Sequence, residues 1–196
     1  MKIKMVLLAV LFLALSSVGH AQSKTASGIR SVDFLNYSYQ PSVCSEDVGL
    51  PKTVKVRKGK FKAGANFFNV EKQDIAYGDV NGDGTEDAVL QIRCGSAAGT
   101  LRAFEIHAYT FQNGRARLLA RIDSTGVESD YKKTYPDGTV FYAGENGPKV
   151  LNGELIVEAL TDGSFASPEN VASFSYKLSG DTFVLSGKPA RTKRNQ

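Results

Sequence analysis

Two Asn-Gly dipeptides, Asn113-Gly114 and Asn152-Gly153, each stand between runs of alternating apolar and polar residues. Two-residue type I′ turns need positive φ at both central positions, which Asn-Gly supplies, so the flanking runs read as antiparallel hairpins. One pairs residues 101–112 with 115–122, and the other 149–151 with 154–160. Ser179-Gly180-Asp181 closes a third before residues 182–185. Alternation recurs elsewhere: 52–57 is a short strand pattern, 88–94 sends Leu90, Ile92 and Cys94 to one face, and 173–178 sends Phe174, Tyr176 and Leu178 inward. No segment of helical length carries an apolar stripe of period 3.6. The expected fold is mainly β, an antiparallel sheet of hairpins. Counting back from Asn113-Gly114 sets Tyr109 opposite Leu118 and Ala108 opposite Leu119, so both faces of that hairpin are apolar. Such a sheet needs cover on both sides, from a second sheet in a sandwich-like stack or from long loops.

One connection has distinctive chemistry. Asp79, Asn81, Asp83 and Asp87 place side-chain oxygens at loop positions 1, 3, 5 and 9, with Gly82 and Gly84 between them. Hard cations such as Ca²⁺ take six to eight oxygens at about 2.3–2.6 Å, and a short loop supplies them only by curling sharply. An EF-hand requires a bidentate Glu at position 12, where this chain has Leu90 inside an apolar run, so that reading is rejected. The loop is expected to join two strands and hold Ca²⁺ through the Asp79, Asn81, Asp83 and Asp87 side chains and the Thr85 carbonyl. Gly82 and Gly84 should be left-handed and Glu86 should point outward. Asp, Asn and Gly also fill ordinary metal-free turns. Against that, four carboxylates within nine residues repel one another unless a cation neutralises them.

These residues resemble the Asp-x-Asn-x-Asp-Gly-x-x-Asp calcium loops of the FG-GAP and VCBS repeat families. Asp123-Ser124-Thr125-Gly126 and Asp162-Gly163-Ser164 lack the further acids of a second copy, so the repeated propeller of those families is not expected. A wider resemblance rests on residues 32–39, Cys44, Tyr77-Gly78-Asp79, Gly82-Asp83-Gly84 and Cys94, which look like small secreted bacterial proteins related to LppP/LprE-type lipoproteins. That resemblance implies an architecture and an envelope location, and no activity. Lipoproteins keep a Cys immediately after the cleavage point, and this chain has none there, so no membrane anchor is expected.

The N-terminus has Lys2 and Lys4, an apolar core over 5–15 and a small-residue exit at Gly19-His20-Ala21, the layout of a secretory signal peptide cleaved after Ala21. The expected organisation is therefore a signal at 1–21, a flexible leader at 22–30, one β domain at 31–187 and a basic, solvated tail at 188–196. Without Lys2 and Lys4 the 24 basic residues fall to 22 against 20 acidic ones, so nucleic acid is not an expected partner. Export to an oxidising compartment makes a Cys44–Cys94 disulfide the default pairing of the two cysteines.

Catalytic signals are sparse. His107 is the only histidine beyond the signal segment, and nothing around it resembles a nucleophile elbow. It is expected to be a partly exposed sheet histidine. Glu105, Glu154, Glu158 and Asp162 are too scattered in sequence to test as a glycosidase pair. Residues 95–99 lack the Gly-Lys-Ser/Thr ending of a phosphate cradle and read as a connector, or weakly as a protruding inhibitor loop. Residues 123–147 are the least legible, a long surface excursion whose Tyr131, Tyr135, Phe141 and Tyr142 pack over the sheet or form an aromatic platform. The leading expectation is a monomeric, non-enzymatic periplasmic or secreted domain with a structural Ca²⁺ loop, binding an envelope or extracellular polymer or protein. The alternative is a Ca²⁺-dependent hydrolase acting in the same compartment.

Overall fold

The computed structural model describes residues 28–194. The proposed signal at 1–21, the first part of the leader and the last two residues lie outside the described residues. The described chain is mainly antiparallel β, with two stacked sheets. β3 (Lys60–Ala63), β4 (Asn66–Gly78), β5 (Asp87–Ser96), β6 (Arg102–Gln112) and β7 (Arg115–Asp123) form a five-stranded meander in chain order. The second sheet is built on the long hairpin of β10 (Glu154–Ser164) and β11 (Ser167–Ser179). The short strands β8 (Val140–Ala143) and β9 (Lys149–Leu151) share the outer edge of β10, while β12 (Thr182–Leu185) and β13 (Ala190–Lys193) share that of β11.

The turns follow from their residues. Asn113 and Gly114 have φ of 54° and 77°, and Asn152 and Gly153 have 52° and 77°, so both hairpins close with positive φ at the two central positions. Tyr109 pairs with Leu118 as counted, but a bulge then sets Ala108 opposite Ala120 rather than Leu119. A larger irregularity interrupts β4. Val70 faces Ile92 and Ile75 faces Leu90, so Glu71–Asp74 bulge out opposite the single residue Gln91.

The central sheet is covered on both faces. On one, Leu90, Ile92 and Cys94 pack with Phe34, Tyr39, Val54 and Val56 of an N-terminal cover. That cover consists of two 3₁₀ turns (Ile29–Ser31 and Phe34–Asn36), the pair β1 (Ser38–Tyr39) and β2 (Val54–Lys55), and the short helix α1 (Val43–Glu46). On the other, Val89, Phe104, Ile106 and Ala108 meet Val157, Phe174 and Tyr176 of the second sheet. Each such fully buried large side chain contributes about 1.5–3 kcal/mol. The Cys44–Cys94 disulfide bolts the cover to β5, with Cα atoms 5.8 Å apart.

Three expectations are corrected. Residues 124–134 form a helix, α2 (Ser124–Thr134), where none was expected. The Asp123 side chain caps it by accepting from the Gly126 amide, and Val127 and Tyr131, four apart, are its two buried residues. Two apolar positions make too narrow a stripe to register as a period. The leader is structured from residue 28, since Ile29 is buried and Arg30 pairs with Glu86 at 2.5 Å. The stretch expected to be a solvated tail contains β13, whose Ala190–Lys193 pair with Asn170–Ser173 at the sheet edge while their side chains stay exposed.

Candidate functional site

The loop between β4 and β5 curls as its glycines suggest, with φ of 75° at Gly82 and 79° at Gly84. The Asp79 carboxylate lies across the curl, Oδ1 accepting from the Gly82 amide at 2.7 Å and Oδ2 from the Gly84 amide at 2.8 Å. Asn81 Oδ1 accepts from the Asp83 amide, and Asp83 Oδ1 from the Thr85 amide. The Thr85 amide and the Asn81 side chain hold the exposed Asp83 carboxyl below its ordinary value. Glu86 points outward to Arg30.

Asp87 differs from the other acids of the loop because it is fully buried. Its Oδ2 accepts from the Val80 amide at 3.1 Å, and no hydrogen bond of normal geometry reaches Oδ1. Burial pushes this carboxyl up, against the pull of the Thr110 hydroxyl and the Val80 amide, and the charges of Asp83 and Asp79 push it further. Among the described residues no three His, Cys, Asp or Glu side chains converge as a ready-made metal set. A Ca²⁺ here would therefore have to draw the carboxylates inward. They retain the capacity, because each carboxylate offers about four lone-pair sites and the amides use at most two. Asp79, Asn81, Asp83, Asp87 and the Thr85 carbonyl are the groups that would hold it, and the ion would neutralise the repulsion that Asp87 feels.

His107 lies in neither a cleft nor a partly exposed position; it is fully buried. Residues 105, 107 and 109 of β6 point to the same face, and Glu105 Oε2 sits 2.7 Å from His107 Nε2, with the Tyr109 hydroxyl 3.1 Å from Nδ1. Glu105 Oε1 accepts from the amides of Ser42 and Cys44 at 2.9 and 2.8 Å. Burial pushes Glu105 up, but the hydrogen bond and charge of His107, with the two amides, outweigh it and hold the carboxyl below its ordinary value. The group anchors α1 beside the disulfide, and the hydroxyl on its imidazole is that of the buried Tyr109, with no serine, threonine or cysteine side chain bonded to the ring. Glu154 pairs with Lys177 and Glu158 with Lys149 on the second sheet, away from the buried Glu105.

A cleft of about 320 Å³ opens between the sheets on the opposite face of β6 from His107. Phe67, Phe104 and Arg102 line it from the central sheet, and Phe141, Tyr142 and Leu160 from the second. Of the four aromatics in residues 123–147, Tyr131 packs against Phe174 in the core, whereas Phe141 and Tyr142 wall this cleft with Phe165 behind them. Arg93 joins the wall. Asp74, in the β4 bulge, and the Gly144 carbonyl hold its guanidinium. Beyond Phe141 and Tyr142 as candidates for an aromatic platform, the sequence did not mark this cleft, since its lining comes from five strands spread over nearly a hundred residues.

The chain matches no family model, no curated protein and no solved structure.

Proposed function

We propose that this chain is an exported, non-enzymatic binding domain whose loop Asp79–Asp87 holds a structural Ca²⁺. The observation that carries the calcium reading is Asp87, a buried carboxylate whose Oδ1 receives no hydrogen bond of normal geometry, at the foot of a loop that also presents Asp79 and Asp83. The signal-like N-terminus and the disulfide support an oxidising compartment, periplasmic or extracellular. The burial of His107, and the separation of Glu105 from Glu154 and Glu158 on the second sheet, favour binding over hydrolysis. The partner class is an envelope or extracellular polymer or protein, met through the face where the inter-sheet cleft opens.

Ca²⁺ binding the folded form alone adds RT ln(1 + [L]/Kd), about 2.7 kcal/mol at a hundredfold excess over Kd. For a domain of this size that raises the unfolding midpoint by roughly 5–10 °C. Thermal unfolding of residues 22–196 with calcium and with chelator reads this directly, and Asp83→Ala should abolish the difference. Equal midpoints in the two conditions would reduce the loop to a plain turn. Capture from envelope extract by the mature protein tests the binding half of the reading.

A further inference from the structure

The register of the central sheet arranges cations and rings in two rows on the cleft-facing side. Lys62, Phe67, Gly95 and Arg102 are cross-strand partners in one row, and Lys60, Asn69, Arg93 and Phe104 in the next. Paired residues share a face. The other face at this level carries Phe61, Phe68, Cys94 and Ala103, all directed into the N-terminal core.

Gly95 shapes the first row. A Cβ there would fall 2.9 Å from Arg102 Cδ and 3.2 Å from Phe67 Cζ, so only glycine lets the arginine lie over the ring. The guanidinium carbon sits 5.2 Å from the Phe67 centroid, and Nη1 donates to the carbonyls of Ser96, Gly99 and Leu101. This holds the group rigid while Nε and Nη2 take no acceptor among the described residues. A fixed guanidinium loses little freedom when it binds an anion.

The local charges do not cancel. Arg93 is held by Asp74, and Glu145 at the cleft mouth is paired with Arg194. Lys60, Lys62 and Arg102 have no ion-pair partner among the described residues, and Glu71 is the one acid left to face them. Arg102 in the lining, with Lys60 and Lys62 beside the lining on the same sheet face, thus outnumbers Glu71, while Phe141, Tyr142 and Leu160 stand across from them in a cleft at the lower end of the volume range of small-molecule sites.

We propose that this cleft binds a small anionic amphiphile, a carboxylate or phosphate on an apolar or aromatic body, with the anion at Arg102 and Lys62 and the body between Phe67 and Phe141. This rests on the binding-domain reading and not on calcium. The charge could belong to a carboxylic acid or a phosphate ester, so both are tested. Titrations of the full chain with 2-naphthoate, 1-naphthyl phosphate and neutral 2-naphthylmethanol should show saturable binding of the anions, at least about tenfold tighter than the alcohol. Lys60→Gln with Lys62→Gln, both at exposed positions, should weaken the anions several-fold and leave the alcohol unchanged, while Phe141→Ala should weaken all three. Tighter naphthoate or tighter naphthyl phosphate identifies the head group.

Equal affinity for anion and alcohol, absence of saturable binding, or indifference to the lysine pair would overturn the proposal. Capture from envelope extract separates the two readings. If wild type and the lysine variant capture the same partner while naphthoate does not bind, the binding domain stands and the cleft assignment falls. If the probes bind and extract yields no partner, the cleft assignment stands without the polymer or protein partner.

Discussion

Replacing Glu105 by alanine removes one carboxylate and strands three donors. The Cys44 amide and His107 Nε2 are fully buried and bonded to it at 2.8 and 2.7 Å, and the Ser42 amide, at 2.9 Å, is partly so. An unsatisfied buried donor costs about 1–3 kcal/mol, so the two deepest set a penalty of roughly 2–6 kcal/mol. That range brackets the roughly 3–5 kcal/mol expected when one partner of a buried pair is removed. Glu105→Gln keeps an acceptor for both amides and weakens only the histidine contact, so it should cost about 1–2 kcal/mol. Urea unfolding at neutral pH, with the disulfide intact, measures both. The folded carboxyl is held below its ordinary value, so its contribution is fully present above the unfolded pKa of about 4.3 and is lost as pH falls through the folded value. The glutamine variant should therefore lose less stability than wild type on acidification below about pH 4.3. An alanine variant costing under about 1 kcal/mol, or a glutamine variant as costly as alanine, would show that the amides and histidine find other partners and that the reasoning is wrong.

Cysteine and glycine substitutions probe the frame around this anchor. Cys44→Ser with Cys94→Ser releases a cross-link spanning 50 positions, and the chain-entropy relation gives a loss of about 4 kcal/mol, measurable as a lower urea midpoint. Gly59 has φ of +74°, and a Cβ there would lie 2.0 Å from the Val70 carbonyl oxygen, so Gly59→Ala should cost well over about 1 kcal/mol, whereas Gly64→Ala, with positive φ but open space, should cost less.

What could be read ahead of the structure was whatever local chemistry dictates by itself. Asn113-Gly114 and Asn152-Gly153 announce their turns because few other dipeptides accept positive φ at both positions, and the structure has it at both. Cys44 and Cys94 had no alternative partner, and they are bonded. The features missed are those set by partners distant in sequence. Glu71-Lys72-Gln73-Asp74 looks like an ordinary polar stretch, and only the pairing of β4 with β5 turns it into a bulge opposite Gln91. The helix at 124–134 depends on an Asp cap, the Glu128–Lys132 pair and two apolar residues, each a weak signal alone. His107, beside Glu105 in an alternating strand, reads as a partly exposed sheet histidine, and the structure buries it. Its burial was nevertheless legible in Glu105 and Tyr109, which alternation puts on the same face.

The central strand β5 ties these elements together. Its Leu90, Ile92 and Cys94 serve the N-terminal core, while Asp87, Val89, Gln91 and Arg93 alternate toward the second sheet. A strand buried on both faces gains most from apolar residues at every position, yet this one commits three of its four sandwich-side positions to polar groups, at a cost of at least about 1–3 kcal/mol wherever pairing is incomplete. Pairing is incomplete at two of them: no hydrogen bond of normal geometry reaches Asp87 Oδ1 or Gln91 Oε1, although Gln91 Nε2 donates to the Gly144 carbonyl. Arg93 shares that carbonyl and holds Asp74, whose own Oδ1 likewise receives no hydrogen bond of normal geometry. The polar stripe therefore runs from the candidate calcium loop at one end of the strand to the wall of the aromatic cleft at the other. Stability does not explain its composition. The proposed calcium site at Asp87, and the proposed anion cleft walled by Arg93, would account for both ends of it.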